Sequence, residues 1–502
     1  MIYSKLVIPH ESYSPVKYGG KIAGLFIIHP TSKTIHFETF FDTFDWRIYN
    51  AGYILKQRNK TFFLSKIENI EFELRTGFQK KPIYMMDFPN GPIKDIISSE
   101  VDRRALLAKT KIKITEIRQD CLNTDQKVVC RLINCELSIP GQDVLNTISI
   151  NGLRGYTSEA QAIEKVLIHE GREVTPHEVF LHIMHTQQIF PGDYSSKVIF
   201  ELNPEMNISG ALNLVLRKLL HIIRINESGV QNDIDTEFLH DYRVAVRRTR
   251  SVLSQLKGVF PAEVRKKFKN EFSWLGKSSN NLRDLDVYLI NENRYEQLVP
   301  PSMKGNINAL FQKLRDERIK EFQKFIRILK TTRYKNFIKE WDNFLNSNKQ
   351  TESGEKCVLD FVKPIILNQF LTVIKKGKLI DDKSKDKQLH RLRIECKKLR
   401  YLIELFSSLF EPDKINQVVK QLKLLQDNLG EYNDYSVQQI FLYSHIEQLP
   451  RNDPDTTRVS AALGALIGSL FQKKQVIRQQ FRVRFDNFAS RENVDIANNL
   501  FD

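Results

Sequence analysis

Two eleven-residue segments, HDYRVAVRRTR at 240–250 and HRLRIECKKLR at 390–400, set a histidine ahead of a run of cations in one shared pattern. At a shift of 150 residues His240 falls on His390, Arg243 on Arg393, Arg247 on Lys397, Arg248 on Lys398 and Arg250 on Arg400. On a helix advancing about 100° per residue, offsets 0, 3, 7 and 10 from each histidine share a narrow arc, a stripe roughly 15 Å long. Arg248 and Lys398, at offset 8, lie well round the helix from it. Leu239, Val246 and Leu253, like Leu389, Cys396 and Ile403, form an apolar stripe alongside. Like charges three or four residues apart repel. The sequence places no acidic residue within either run of stripe positions. A repeating anion would relieve that repulsion. Phosphate suits the forked donors of arginine and the mobile point charge of lysine, with an affinity that falls as salt rises.

Each histidine could be a neutral hydrogen-bonding group, a protonated phosphate contact or a metal ligand. Neither has a Cys or His at metal-ligand spacing, so no metal and no cofactor is expected. Asp284, Asp286, Asp427 and Asp434 are expected to tie helix ends and orient cations. No nucleophile–base pair and no phosphate-cradling glycine loop accompanies them, so no catalytic residue is assigned.

The elements that must position these stripes divide the chain. Residues 1 to about 195 carry short β-branched runs, KIAGLFIIHP, KTIHFETFFDT, TFFLSKIENIEFEL, KVVCRLINCELSI and TISINGLRGY, and then a helical stretch, SEAQAIEKVLIHEG, with Ser158 as its expected N-cap. That half reads as an α+β domain with an antiparallel sheet. From about residue 203 long amphipathic segments dominate and predict an all-α bundle. The shift of 150 also sets Phe260 on Phe410, Asp284 on Asp434 and Pro300 on Pro450. A duplicated module is the result, over about 203–346 and 357–490, with NSNKQTESGEK as its linker.

Composition narrows the partners. The 502 residues carry a formal charge of +16, and its distribution is uneven. Residues 1–200 hold 25 Lys and Arg against 22 Asp and Glu, leaving 51 against 38 for residues 201–502. Excess positive charge in the helical part attracts polyanions. Five cysteines without a CxxC pair predict reduced thiols and a cytoplasmic protein. No apolar run approaches the roughly 20 residues of a membrane helix, so no membrane partner is expected.

At HDYRVAVRRTR and HRLRIECKKLRY, with NLRDLDV and LQDNLGEYND in support, the chain resembles the CHAD domain, the conserved histidine α-helical domain, over about residues 203–490. The resemblance implies two pseudo-symmetric four-helix bundles enclosing a basic groove that binds inorganic polyphosphate, and association with polyphosphate granules. In it the histidines and cations named above are ligand contacts, with Arg217, His221, Arg224, Lys375 and Lys376 as further candidates on neighbouring helices. FFDTFDWRIYNAGYILKQR and SINGLRGYTSEAQAIEKVL in the N-terminal domain, 1–195, resemble the CYTH domain, an antiparallel tunnel fold of triphosphate enzymes. Active members of that family open with an E-x-E-x-K strand. This chain opens with SKLVIPHESYS, and the expectation is a degenerate, non-catalytic tunnel.

Two alternatives remain. A metal-dependent triphosphatase would need clustered carboxylates, for which Glu71, Glu73 and Glu136 are the candidates. Nucleic-acid binding, RNA included, would need aromatics among the cations, and only Tyr242 and Tyr401 adjoin the stripes. The oligomeric state is left open.

Overall fold

The structure is a computed structural model that describes residues 4–8, 20–22, 25–27, 30–68, 73–77, 84–169, 171–195, 200–347, 351–449 and 454–502. The chain divides into two compact units, residues 1–197 and 198–502.

Among the described residues the first unit holds eleven strands: β1 (Ser4–Ile8), β2 (Gly20–Ile22), β3 (Leu25–Ile27), β4 (Ser32–Asp42), β5 (Tyr53–Arg58), β6 (Thr61–Lys66), β7 (Glu73–Gly77), β8 (Leu107–Leu122), β9 (Val128–Ile139), β10 (Gln142–Gly152) and β11 (Arg172–Glu173). They form one sheet in the order β11-β1-β10-β9-β8-β4-β5-β6-β7, and β3, paired with β2, also joins β8. Its described ladders are antiparallel. Among the described residues the α-helices α1 (Arg47–Asn50), α2 (Pro92–Val101), α3 (Thr157–Ile168) and α4 (Pro176–Thr186) accompany the sheet.

The long strand β8 serves two cores because its side chains alternate faces. Ile112 and Ile114 pack under Val179, Phe180 and Ile183 of α4. Further along, Cys121 joins Ala160, Ile163 and Leu167 of α3. Three local expectations are corrected. KIAGLFIIHP holds two short strands, with residues 23, 24, 28 and 29 outside the described residues, and TFFLSKIENIEFEL supplies both β6 and part of β7. Ser158 is not a cap: α3 starts at Thr157, and the Ser158 hydroxyl donates to Glu159 at 2.7 Å.

The second unit is all helical: α5 (Ile208–Gln231), α6 (Thr236–Gln255), α7 (Ala262–Ser278), α8 (Asn280–Ile290), α9 (Glu292–Glu296), α10 (Lys304–Lys330), α11 (Thr332–Asn346), α12 (Val358–Lys378), α13 (Asp386–Phe406), α14 (Pro412–Glu447), α15 (Pro454–Phe488) and α16 (Arg491–Phe501). The shift of 150 lays the first residue of α5 on that of α12, α6 on α13, α7 on α14 and α10 on α15. Pro450 and residues 348–350 of the linker segment lie outside the described residues.

One difference between the repeats is local. α14 runs unbroken where its counterpart is split into α7, α8 and α9, with breaks at Asn291 and, between α7 and α8, at Ser279. Arg243 enters that break, donating to Gly276 O at 3.0 Å and to Asn280 Oδ1 at 2.9 Å. Leu429 and Gly430 occupy the positions equivalent to Ser279 and Asn280 and offer no such side-chain acceptors.

The repeats share one core. Leu285, Tyr288, Phe311 and Leu314 of the first pack with Tyr435, Leu442, Leu463 and Leu466 of the second, and Tyr288 stacks on Phe441 with ring centroids 4.1 Å apart. Close helix approach depends on two glycines. A Cβ on Gly229 of α5 would fall within the buried Phe238 ring of α6, and one on Gly377 of α12 within the Phe485 ring of α15. Gly430, inside α14, meets nothing within 4 Å.

Gly229→Ala is therefore expected to destabilise the protein by about 1–3 kcal/mol through overpacking. Gly430→Ala is expected to stabilise it by about 0.5–1 kcal/mol through helix propensity. Chemical denaturation of both variants measures the contrast.

Candidate functional site

The two cationic stripes lie on helices that pack together, α6 and α13. Their apolar stripes are buried: Leu239, Val246 and Leu253 on one, Leu389, Cys396 and Ile403 on the other. This burial anchors the rods and leaves Arg247, Arg250, Arg393, Lys397 and Arg400 at the boundary with solvent, while Arg243 is itself buried.

Arg247, Arg250 and Lys397 are half-buried, and among the described residues no carboxylate pairs with them. Burial pushes Lys397 down to about 8; the charges of Arg393, Arg247 and Arg400 add to that effect, and Asp434 opposes it. Arg247 of the first repeat thus acts on Lys397 of the second. Arg243 is pushed down to about 10, first by burial and then by Arg247, with Asp284 opposing, and stays charged near neutrality. Cations converge here beyond what local acids balance.

The histidines play matched positioning parts. Arg283 of α8 donates to His240 Nδ1 at 2.9 Å. Because guanidinium only donates, His240 accepts there, and its ring proton sits on Nε2. At the equivalent position of α14, Asn433 Oδ1 lies 2.7 Å from His390 Nδ1. In both repeats Nδ1 is engaged by the residue preceding an aspartate, Asp284 or Asp434. Burial raises the Asp284 carboxyl and Asp434 adds to it, while Arg243 and Arg283 act against it. Asp434 lies 3.7 Å from Arg393. Buried Asp286 instead holds Arg318 at 2.8 Å. Asp427 is exposed.

Other predicted contacts are held by carboxylates. Arg248 reaches across to Glu404 of α13 at 2.9 Å. Lys398 and Lys376 both bind Glu395, at 3.0 and 2.6 Å. Burial pushes Glu395 up, but hydrogen bonds from Lys376, Gln369 and Lys398 outweigh it and hold the carboxyl at about 2. Arg400 donates to Glu404 at 2.5 Å. Glu404 is the residue that the sequence reading missed. It lies at offset 14 from His390, within the stripe's arc one turn beyond Arg400, so the second stripe ends on an acid. Its equivalent in the first repeat is Ser254.

The candidates on α5 turn to another neighbour. Arg217 donates to Leu345 O and Asn346 Oδ1 at 2.8 and 2.6 Å, and Arg224 pairs with Asp342 at 2.9 Å, all on α11. His221 lies on the same exposed face. Lys375 is exposed on α12.

In the first unit a cavity of about 170 Å³ lies between the sheet and α4. Phe40, Ile54, Ile112, Leu137 and Phe180 line it beside His36, Glu38, Lys56, Arg58 and Glu116. Glu38 is buried and is paired with Arg58 and, at 3.5 Å, with Lys56. The carboxylates proposed for a metal are not assembled. Glu73 on β7 pairs with Arg75, Glu136 sits on β9 five strands away in the sheet order, and Glu71 lies outside the described residues. Among the described residues no group of three or more His, Cys, Asp or Glu side chains is placed to hold a metal, and no helix is long and apolar enough to cross a membrane.

Residues 214–443 match the family model of the CHAD domain. No curated protein matches the chain. Among solved structures, the CHAD domain from the plant Ricinus communis is 23% identical, covers 59% of this chain and 96% of its own, and superposes with a TM-score of 0.50. PptA from Streptomyces chartreusis is 14% identical, covers 56% and 98%, and reaches 0.45. A putative adenylate cyclase from Bacillus halodurans is 13% identical and covers 38% and 91% at a TM-score of 0.23, a similarity too slight to assign a fold. The repeat, the paired histidine helices and the family match agree: residues 214–443 of this chain are a CHAD domain.

Proposed function

We propose that the helical unit binds inorganic polyphosphate along the seam between α6 and α13. The observation that carries this is that Arg247 and Arg250 of the first repeat and Lys397 of the second have no carboxylate partner among the described residues, while Arg247 acts on Lys397 across the repeats and Arg250 acts on Arg243. A phosphate chain would supply the missing negative charge at several points at once. Arg243, Arg393 and Arg400 line the same seam. Arg248, Lys398 and Lys376 serve to hold the helices together, since carboxylates already engage them. His240 and His390 are positioned through Nδ1 with opposite polarity, His240 accepting from Arg283 and His390 donating to Asn433 Oδ1.

RNA would share the electrostatic attraction, but of the two aromatics beside the stripes only Tyr401, half-buried, keeps any exposure for stacking. Tyr242 is fully buried, its hydroxyl bonded to that of Tyr334 at 3.1 Å, and is not available to a base. The first unit serves as a non-catalytic partner domain, its buried Glu38 balanced by Lys56 and Arg58 rather than free for a metal. Polyphosphate granules are the cellular location that follows.

Calorimetric titration with long-chain polyphosphate is expected to yield an affinity that falls steeply with salt. Replacing Arg247 and Lys397 together by Glu should weaken it roughly a hundredfold, since each position loses a charge-assisted contact. RNA of equal length should compete poorly at moderate salt. Equal affinity of wild type and double variant would refute the site.

Lys397 also gives the site a pH dependence. Bound phosphate favours its charged form, whereas the free protein loses that proton as pH rises through about 8. Affinity should therefore decline above that pH, and Lys397→Arg should flatten the profile.

A further inference from the structure

The two halves of the cationic seam are not equivalent at offset 14 from the histidines, where one repeat carries a carboxylate and the other does not. Glu404 occupies the stripe's arc on α13, one turn past Arg400. Its Oε1 accepts from Arg400 Nε at 2.5 Å and its Oε2 from Arg248 at 2.9 Å, so one side chain bridges both repeats. Arg400 is further fixed by Gln426 Oε1 at 3.2 Å. The corresponding position of the first repeat is Ser254, whose hydroxyl donates to Arg250 O at 2.7 Å and carries no charge. Arg250, the counterpart of Arg400, accordingly has no carboxylate partner among the described residues.

Granting the polyanion site proposed above, we infer that Glu404 is a built-in counter-anion that weakens polyphosphate binding at Arg400 on α13 and directs the chain toward Arg250 on α6 and toward Arg247 and Lys397. A phosphate approaching Arg400 meets a carboxylate already seated on that guanidinium. Either Glu404 withdraws, giving up two charge-assisted hydrogen bonds, or the phosphate stops short of Arg400. Both outcomes cost affinity. Arg250 on α6 imposes no such cost. The same carboxylate ties α6 to α13, so it holds the empty seam together against the mutual repulsion of its cations, a tie that ligand phosphates would replace.

The prediction runs opposite to the usual result of removing a residue from a site. Glu404→Gln keeps the shape, frees Arg400 and should tighten binding of long-chain polyphosphate by about tenfold, the value of one recovered charge-assisted contact. The slope of log affinity against log salt should steepen by about one, because one more cation meets the ligand. Ser254→Glu adds a carboxylate at the equivalent place without disturbing the existing bridge, and should weaken binding by a similar factor with a shallower slope. The wild type, both variants and the Arg247→Glu plus Lys397→Glu protein are titrated side by side, with thermal melts to confirm folding.

Unchanged or weaker binding by folded Glu404→Gln would overturn the counter-anion role, as would unchanged binding by Ser254→Glu. If Glu404→Gln does not fold, the Ser254→Glu result decides alone. If the double-Glu protein binds as wild type does, the site reading itself fails; if it loses binding while Glu404 and Ser254 have no effect, only the present inference fails.

Discussion

Everything in the helical unit depends on keeping two cationic helix faces together. Unit charges about 4 Å apart repel by roughly 1 kcal/mol in water and by about 4 kcal/mol at a partly buried surface. What opposes this is the apolar stripe beside each cationic one. Each buried leucine, isoleucine or valine there contributes about 1.5–3 kcal/mol, and Leu239, Val246, Leu253, Leu389 and Ile403 are all buried. The fold can thus hold Arg247 and Lys397 within electrostatic reach without neutralising either. Burial first, and the neighbouring cations Arg393, Arg247 and Arg400 after it, lower the proton affinity of Lys397.

The surrounding helices keep the compromise specific. Phe238 packs over Gly229 to draw α6 against α5, and the Tyr288–Phe441 stack closes the two repeats on one core. Arg283 and Asn433 fix the histidines from matching places, so both stripes begin at an oriented ring. Carboxylates are placed where they bind helices together, at Glu395 and Glu404, rather than at the centre of the seam. The result is a surface stable enough to fold with its charge unspent.

Much of this was legible in the sequence, because a duplication repeats its periodicity. The 150-residue shift read from the histidines sets the first residue of α6 on that of α13 and the first residue of α10 on that of α15. Helical projection also separated the stripe cations from Arg248 and Lys398. What it could not supply was tertiary pairing. Glu404 shares the stripe's arc but lies beyond the repeated motif, and its bond to Arg248 joins residues 156 positions apart. Arg243 donates to groups on both sides of the split at Ser279, a contact that no local propensity encodes. In the first unit, β8 escaped notice because its apolar positions change face partway along, from Ile112 and Ile114 to Cys121.

The central claim is that this seam carries cations awaiting an external anion. Its most direct test is the titration of the Lys397 ammonium itself, followed by NMR of the side-chain nitrogen in selectively labelled protein with and without long-chain polyphosphate. The account predicts a midpoint near 8 in the free protein and a rise toward the ordinary lysine range when polyphosphate is added. A midpoint already near 10.5 in the free protein, or one that polyphosphate leaves unmoved, would contradict it.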